Sequence, residues 1–249
     1  MRGPRLEPDA GGRLRLAAGE AGAPRAVLVS GSRSRSTLAG RPRLLAAAWA
    51  GTGATRFGWG RDGAWIDLET QAPPEQAVLL PAALAVLEVL GRTGAEIGTR
   101  AIVTGAGLEA ALLRAAVEDC GGRPLAEIPG GGDRVGLLVA AEIDASGLAS
   151  SLRGVADGGR AVVLGEPGEM PGFDFYPDVH RRGLALHVVP PLPDRDAATR
   201  LLAQGRARLE RLVATVAAAA PDGFRRDRGA WDGGLETVPA GWTIHIKEG

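Results

Sequence analysis

In RAIVTGAGLEAALLRAAVE, residues 100–118, a short apolar run meets two glycines and gives way to apolar positions at helical spacing. The pattern predicts a strand, a tight turn and a helix. Gly105 and Gly107 permit positive φ and let a ligand approach the backbone, and Ala110 is small enough for the helix to lie on its own strand. The helix start exposes unpaired N–H groups and the positive end of the helix dipole, which suits a dinucleotide pyrophosphate. A lone G-x-G-x-x-A describes a bare strand-to-helix turn equally well, so the flanking chain must decide.

Upstream, PAALAVLEVL at 81–90 predicts a helix with Leu84, Leu87 and Leu90 on its apolar face, Pro81 at its start and Gly91 past its end. Downstream, 124–128 reads as a short strand and the glycines of 130–132 as a loop. The apolar run 135–141 fits strand or helix. A strand end at 142–145 leads to a small-residue turn at Ser146 and Gly147, a helix over 148–155, a turn at Gly158 and Gly159, and a strand over 160–164. That order is a βαβ unit. A strand over 184–189 and a helix over 194–216, with Leu201, Leu202, Leu209, Leu212, Val213 and Val216 on one face, complete an α/β region whose alternation predicts a doubly wound parallel sheet.

Residues 1–75 differ. They are rich in Gly, Arg and Pro, with short strands predicted at 13–16, 26–29 and 64–68, and they read as a small irregular β unit. Pro73 and Pro74 exclude regular helix and make a linker. The C-terminal GWTIHIKEG alternates Trp242, Ile244 and Ile246 with polar residues, as a strand with one wet face does, and could return to the N-terminal unit and close it.

Composition narrows the function. Among 249 residues, Lys plus Arg and Asp plus Glu balance at 29 each, so no net field recruits nucleic acid or an acidic membrane. The single cysteine, Cys120, rules out an internal disulfide and suits a reducing cytoplasm. No signal peptide pattern and no membrane-spanning apolar run is present, so a cytoplasmic protein is expected.

Three segments carry a family resemblance: PAALAVLEVLGRTGAEIGTRAIVTGAG, EIDASGLASSLRGVADGGRAVVLGEPG and FDFYPDVHRRGLALHVV. In this order the chain resembles the medium-chain dehydrogenase/reductase superfamily, the zinc-type alcohol dehydrogenase relatives, over about residues 80–216. GGRLRLAAGEAGAPRAVLVSGSRSRSTLAGR looks like a worn copy of that family's opening. The resemblance implies a Rossmann-like dinucleotide-binding domain over 76–224 and a reduced GroES-like β domain over 1–75, completed by about 225–249. It also implies an NAD or NADP cofactor, and a homodimer joined through the edge of the last Rossmann strand, 184–189.

The chain departs from that family in its metal ligands. Residues 1–119 contain neither Cys nor His, and Arg33 stands about where the family places a ligand cysteine. Thiolate and imidazole are what zinc uses there, and Cys120, His180, His187 and His245 lack metal-site spacing, so no zinc is expected.

Glu127 lies about 20 residues beyond the glycines, where an acidic residue takes the ribose hydroxyls; the strand end falls there or on Ile128, which cannot hydrogen-bond ribose. Arg123 suits a 2′-phosphate or is simply solvated. Ser146 and Gly147 form a second strand-end turn on the rim that holds Gly105. In FDFYPDVHRRG, Tyr176 and His180 are the candidates for a proton relay, and Arg181 or Arg182 for holding a carboxylate or phosphate. Alternatively Phe173, Phe175 and Tyr176 pack a loop while Asp178, His180 and the arginines face water. Trp49, Trp59 and Trp65 line a pocket or fill a small β core. Ser30, Ser32, Ser34 and Ser36, with Arg33 and Arg35, form an anion site or a mobile turn.

Two functions are compatible with these residues. One is a zinc-independent NAD(P)-dependent oxidoreductase acting on a small organic substrate. The other keeps the scaffold without redox turnover, as a non-redox tailoring enzyme or a partner subunit.

Overall fold

The computed structural model describes residues 5–8, 14–17, 26–31, 43–50, 55–61, 64–105, 107–129, 133–141, 145–165, 174–190, 195–219, 224–229, 234–235 and 241–247. The chain divides into two compact units, Met1–Pro81 with Ala217–Gly249, and Ala82–Val216. In chain order the elements begin with β1 (Arg5–Pro8), β2 (Leu14–Ala17), β3 (Ala26–Gly31), β4 (Arg43–Ala50), β5 (Thr55–Arg61), β6 (Ala64–Thr70) and α1 (Pro74–Ala77). Then come α2 (Leu80–Thr93), β7 (Arg100–Thr104), α3 (Gly107–Asp119), β8 (Arg123–Leu125), β9 (Val135–Ala140), α4 (Ala145–Arg153) and β10 (Val155–Leu164). A π-helix (Tyr176–His180), β11 (Ala185–Val189), α5 (Arg195–Ala219), β12 (Phe224–Gly229), β13 (Gly234–Leu235) and β14 (Gly241–Lys247) follow.

The first unit contains a six-stranded sheet in the order β12-β14-β3-β4-β5-β6 and a three-stranded sheet in the order β1-β2-β13. The last strand pairs antiparallel with β3, Ile244 opposite Leu28 and Trp242 opposite Ser30. Trp49, Trp59 and Trp65 fall on β4, β5 and β6, but their side chains, like Ser32, Arg33, Ser34, Arg35 and Ser36, lie outside the described residues. Pro73 and Pro74 do not exclude a helix. Pro73 is extended (φ −62°, ψ 156°) and Pro74 stands at the start of α1. A missing N–H costs nothing there, and the fixed φ is already helical.

The second unit is a five-stranded parallel sheet in the order β11-β10-β9-β7-β8. From β7 the chain steps one way to β8, and from β9 it steps the other way to β10 and β11. Right-handed crossovers therefore put α3 and α4 on opposite faces, which makes the sheet doubly wound. On one face Ile102, Leu138, Ala140, Ala161 and Val163 pack with Leu148 and Leu152 of α4. The intervening Ala101, Val103, Leu137, Val139, Val162 and Leu164 are buried too. Near-continuous burial is what a parallel sheet covered on both faces requires, and each buried Leu or Val contributes about 1.5–3 kcal/mol.

Several boundaries differ from the sequence expectation. The run 135–141 is a strand over Val135–Ala140. α2 passes through Gly91 to Thr93 and ends where Gly94 takes φ 61°, with Arg160 Nη1 donating to the Thr93 carbonyl at 3.0 Å. Ala145, Ser146 and Gly147 are the first turn of α4, whose helix stops at Arg153. Val155 begins β10 instead of ending that helix, and Gly158 and Gly159 form a bulge inside the strand. Val155 pairs with Val135, yet Arg160 already pairs with Leu137. The extra residues fold into a tight bend at which a Cβ on Gly159 would come within 2.8 Å of the Ala156 carbonyl.

Candidate functional site

Gly105 follows β7 with φ 100°, and Gly107 opens α3 with φ 82°. Both values lie where an L side chain is strained, so the turn demands glycine. Ala110 is fully buried one turn into the helix, beside Leu108, Leu112 and Leu113. Arg114, two turns in, folds back so that its Nη2 donates to the Gly105 carbonyl at 3.0 Å. This contact was not foreseen, because nothing in the local pattern separates it from a solvated arginine. Ala106 lies outside the described residues.

Strand order reverses between β7 and β9, and in open α/β sheets ligands bind at such a switch point, outside the carboxyl ends of the strands. Here the two ends are joined by the Ala141 N–H, which donates to the Thr104 carbonyl at 3.1 Å. Gly105 and Gly107 therefore stand at the switch point. On the second half of the sheet, Ser146 and Gly147 open α4; their side chains lie outside the described residues, as do residues 142–144 and 130–132.

Glu127 is placed differently. β8 has three residues and its last pair is Leu125 with Ile102, two residues short of the end of β7. Ile128 packs so closely over Gly154 that a Cβ there would lie 2.9 Å from it. Glu127 is exposed, in the bend that carries the chain from β8 towards Gly154. Arg123 begins β8, opposite Arg100, at the end of the sheet away from the glycine turn.

Tyr176 and His180 are adjacent, their rings stacked with centroids 5.5 Å apart, and Tyr176 is 64% exposed. Phe175 is 56% exposed and so does not pack a loop interior; Phe173 lies outside the described residues. The pair is not brought to the glycine turn. The His180 carbonyl accepts from the Gly183 N–H, and the Arg182 carbonyl accepts from the Gly158 N–H, so the segment sits beside the N-terminal ends of β10 and β11.

Arg182 is spent on structure. Its guanidinium donates to the carbonyls of Leu152, at 2.7 Å, and Val155, and its Nε to Asp157 Oδ1 at 2.9 Å. Arg134 reaches the same carboxylate at 3.0 Å. The Arg182 hydrogen bond and the charge of both arginines hold the Asp157 carboxyl below its usual value. At the C-terminal end of α3, Asp119 takes Arg208 at 2.6 Å and Arg211 at 2.9 Å, while Arg208 also donates to Cys120 Sγ at 2.8 Å. Burial alone would raise the Asp119 carboxyl, but the hydrogen bonds from Arg211 and Arg208 outweigh it and the net shift is downward. Among the described residues, no three His, Cys, Asp or Glu side chains group as a metal site, and no helix is long and apolar enough to cross a membrane.

No family model matches the chain, and no curated protein matches it. Solved structures do. The quinone oxidoreductase of Thermus thermophilus, solved also as its NADPH complex, aligns over 99% of this chain and 100% of its own at 17% identity and TM-score 0.56. Alcohol dehydrogenase TADH from Thermus sp. ATN1 aligns over the whole of both chains at 16% identity and TM-score 0.53. S. aureus TarJ, in complex with NADPH, aligns over 95% of each chain at 9% identity and TM-score 0.58. These likenesses establish a fold, that of the medium-chain dehydrogenase/reductase structures, with a Rossmann-like α/β sheet.

Proposed function

We propose that the chain is a cytoplasmic NAD(P)-dependent oxidoreductase of the medium-chain type, acting on a small organic substrate without zinc. The observation that carries this reading is the turn at Gly105 and Gly107, two positive-φ glycines that open α3 at the switch point of a doubly wound sheet. A bare connection can use such glycines anywhere along the sheet, whereas a pyrophosphate requires them at the switch point, where it must approach backbone N–H groups at a helix start. Gly105 and Gly107 would hold the pyrophosphate, with Ala110 letting α3 lie close on β7, while Ser146 and Gly147 would hold the second half and Glu127 a ribose hydroxyl. A bound nicotinamide would supply the hydride acceptor or donor. The chain's own residues bind and orient it. The likeness to two NADPH complexes supports the same reading.

Zinc independence rests on the absence of Cys and His before Cys120. Metal analysis of tag-free protein should return far less than one zinc per chain, and one firmly held equivalent refutes this part. Calorimetric titration with NAD, NADH, NADP and NADPH tests the whole proposal: saturable binding of at least one supports it, and no binding of any sinks it. The scaffold reading without redox turnover is favoured by one observation, the placement of Tyr176 and His180 at the opposite end of the sheet. Binding of a nucleotide without turnover of any aldehyde, ketone or quinone in a broad panel would select it.

We further propose a homodimer through β11. Its outer edge is unpaired among the described residues. The alternative is an edge covered by the segment GFRRDRGAWDGG or capped by Pro190 and Pro191; of that segment, residues 224–229 pair with β14 and residues 230–233 lie outside the described residues. An open edge can meet its own copy antiparallel about a two-fold axis. A concentration-independent monomer mass by light scattering would dismiss this.

A further inference from the structure

The dinucleotide fold is built from two halves of three strands, each serving one mononucleotide, in the order 3-2-1-4-5-6. The second half is complete here as β9, β10 and β11. The first half stops at two. β8 ends at Leu125 and β9 begins at Val135, so nine residues, 126–134, connect them. A third strand with its helices needs about 30 residues for each further βα repeat and return. Nine extended residues span at most about 30 Å, enough only to pass beneath β7 to its other side. The close packing of Ile128 over Gly154 shows that path beginning at once.

Nothing in the described residues replaces the missing strand. β8 is the edge of the sheet. Pro124 at its centre lacks an N–H and so discourages any other strand from pairing there. Beyond it Ala126, Glu127 and Ile128 are exposed. Among the described residues, the half of the site that would enclose an adenosine therefore has one wall, the turn at Gly105 and Gly107. The half that would hold the nicotinamide mononucleotide keeps both α4 and its three strands.

We infer that this chain recognises a nicotinamide mononucleotide with its phosphate, and that the adenosine half of a dinucleotide adds little affinity. The inference rests on the nucleotide-binding reading above and narrows it. A consequence is weak discrimination of the 2′-phosphate, since Glu127 lies in an exposed bend and Arg123 at the far end of β8.

Calorimetry on the full chain tests this with five probes: NADPH, NADH, the reduced and oxidised nicotinamide mononucleotides, and AMP. Reduced nicotinamide mononucleotide should bind within about tenfold of NADPH, NADH within about fivefold of NADPH, and AMP at least tenfold more weakly than nicotinamide mononucleotide; an exposed hydrogen bond contributes only about 1 kcal/mol, and tenfold corresponds to about 1.4 kcal/mol. If NADPH binds and exceeds the reduced mononucleotide by more than tenfold, or AMP matches nicotinamide mononucleotide, the inference is overturned while the oxidoreductase reading stands. If none of the nicotinamide nucleotides binds, both fall.

Discussion

The two ends of the five-stranded sheet are built by different means. At the N-terminal ends of the strands, charged side chains tie neighbouring segments together: Arg100 with Asp133, Arg134 and Arg182 with Asp157, and Arg208 and Arg211 with Asp119. At the C-terminal ends, among the described residues, the switch point is made mainly of small residues, Gly105, Gly107, Ala140 and Ala141, with the Ala141-to-Thr104 bond and the Arg114 hydrogen bond to the Gly105 carbonyl beside them. The difference fits the proposed division, with the base of the sheet as scaffold and the glycine rim as the ligand site. Cross-ties at the base would hold the strand register while the proposed ligand approaches the other rim.

The contrast is broken most directly at Arg182, whose side chain is 15% exposed. Arg182→Ala leaves two carbonyls without their donor and should cost about 3 kcal/mol in urea denaturation, with nucleotide affinity unchanged in the folded fraction. A loss of affinity at full stability would show that the two ends are not separate. Gly107→Asp attacks the other end. A β-carbon and a negative charge at φ 82° should weaken dinucleotide binding by about a hundredfold. The circular dichroism spectrum should stay native, and unaltered affinity in such a folded variant would mean that the pyrophosphate sits elsewhere.

Leu186→Pro probes the edge of the same sheet. Val189 turns its carbonyl to Gly165 on the β10 side, so by alternation along the strand Leu186 points its N–H outward. The proline should dissociate the proposed dimer, seen as a halved mass in light scattering, while the monomer stays folded; an intact dimer would place the interface on another surface. A smaller effect is expected at Glu127, where Ala should weaken NADH by about fivefold or less, because an exposed hydrogen bond contributes only about 1 kcal/mol. A hundredfold loss would reveal an enclosed ribose site.

The smallest effect concerns pH. Asp119 is more acidic folded than unfolded. Its stabilisation is therefore fully present above the unfolded value of about 3.9 and is lost as pH falls through the lower, folded value. Asp119→Asn should flatten that part of the acid unfolding curve and leave stability between pH 5 and 8 without pH dependence of its own. A variant whose acid limb matches the wild type would assign the limb to other carboxylates.

The second unit was legible in the sequence because its signals are local. Apolar runs such as 100–104 and 160–164, glycines past their ends and helical spacing in 107–119 each report their own element. The first unit was less so. β4, RLLAAAWA, is alanine-rich and carries a helix former's composition, and β5, TRFGWGR, is diluted by Gly58 and Gly60, so neither was expected as a strand. Their pairing with β3 and β6 decides their state.

The same division runs through the site. The sequence alone determined the turn at Gly105 and Gly107, since positive φ at a strand-to-helix junction is a demand one residue meets by itself. It also determined the lack of Cys and His before Cys120. Only the tertiary structure decided the rest. FDFYPDVHRRG reads as one cluster of reactive groups, yet Arg182 is held by carbonyls of Leu152 and Val155, about thirty residues away in sequence, and Tyr176 and His180 go with it to the base of the sheet. Glu127 stands at a suitable spacing from the glycines, but β8 stops level with Ile102 and the chain turns under, because the next strand must be reached in nine residues. Spacing counts residues along a chain. Where a side chain ends up depends on which carbonyls and strands, distant in sequence, fold to meet it.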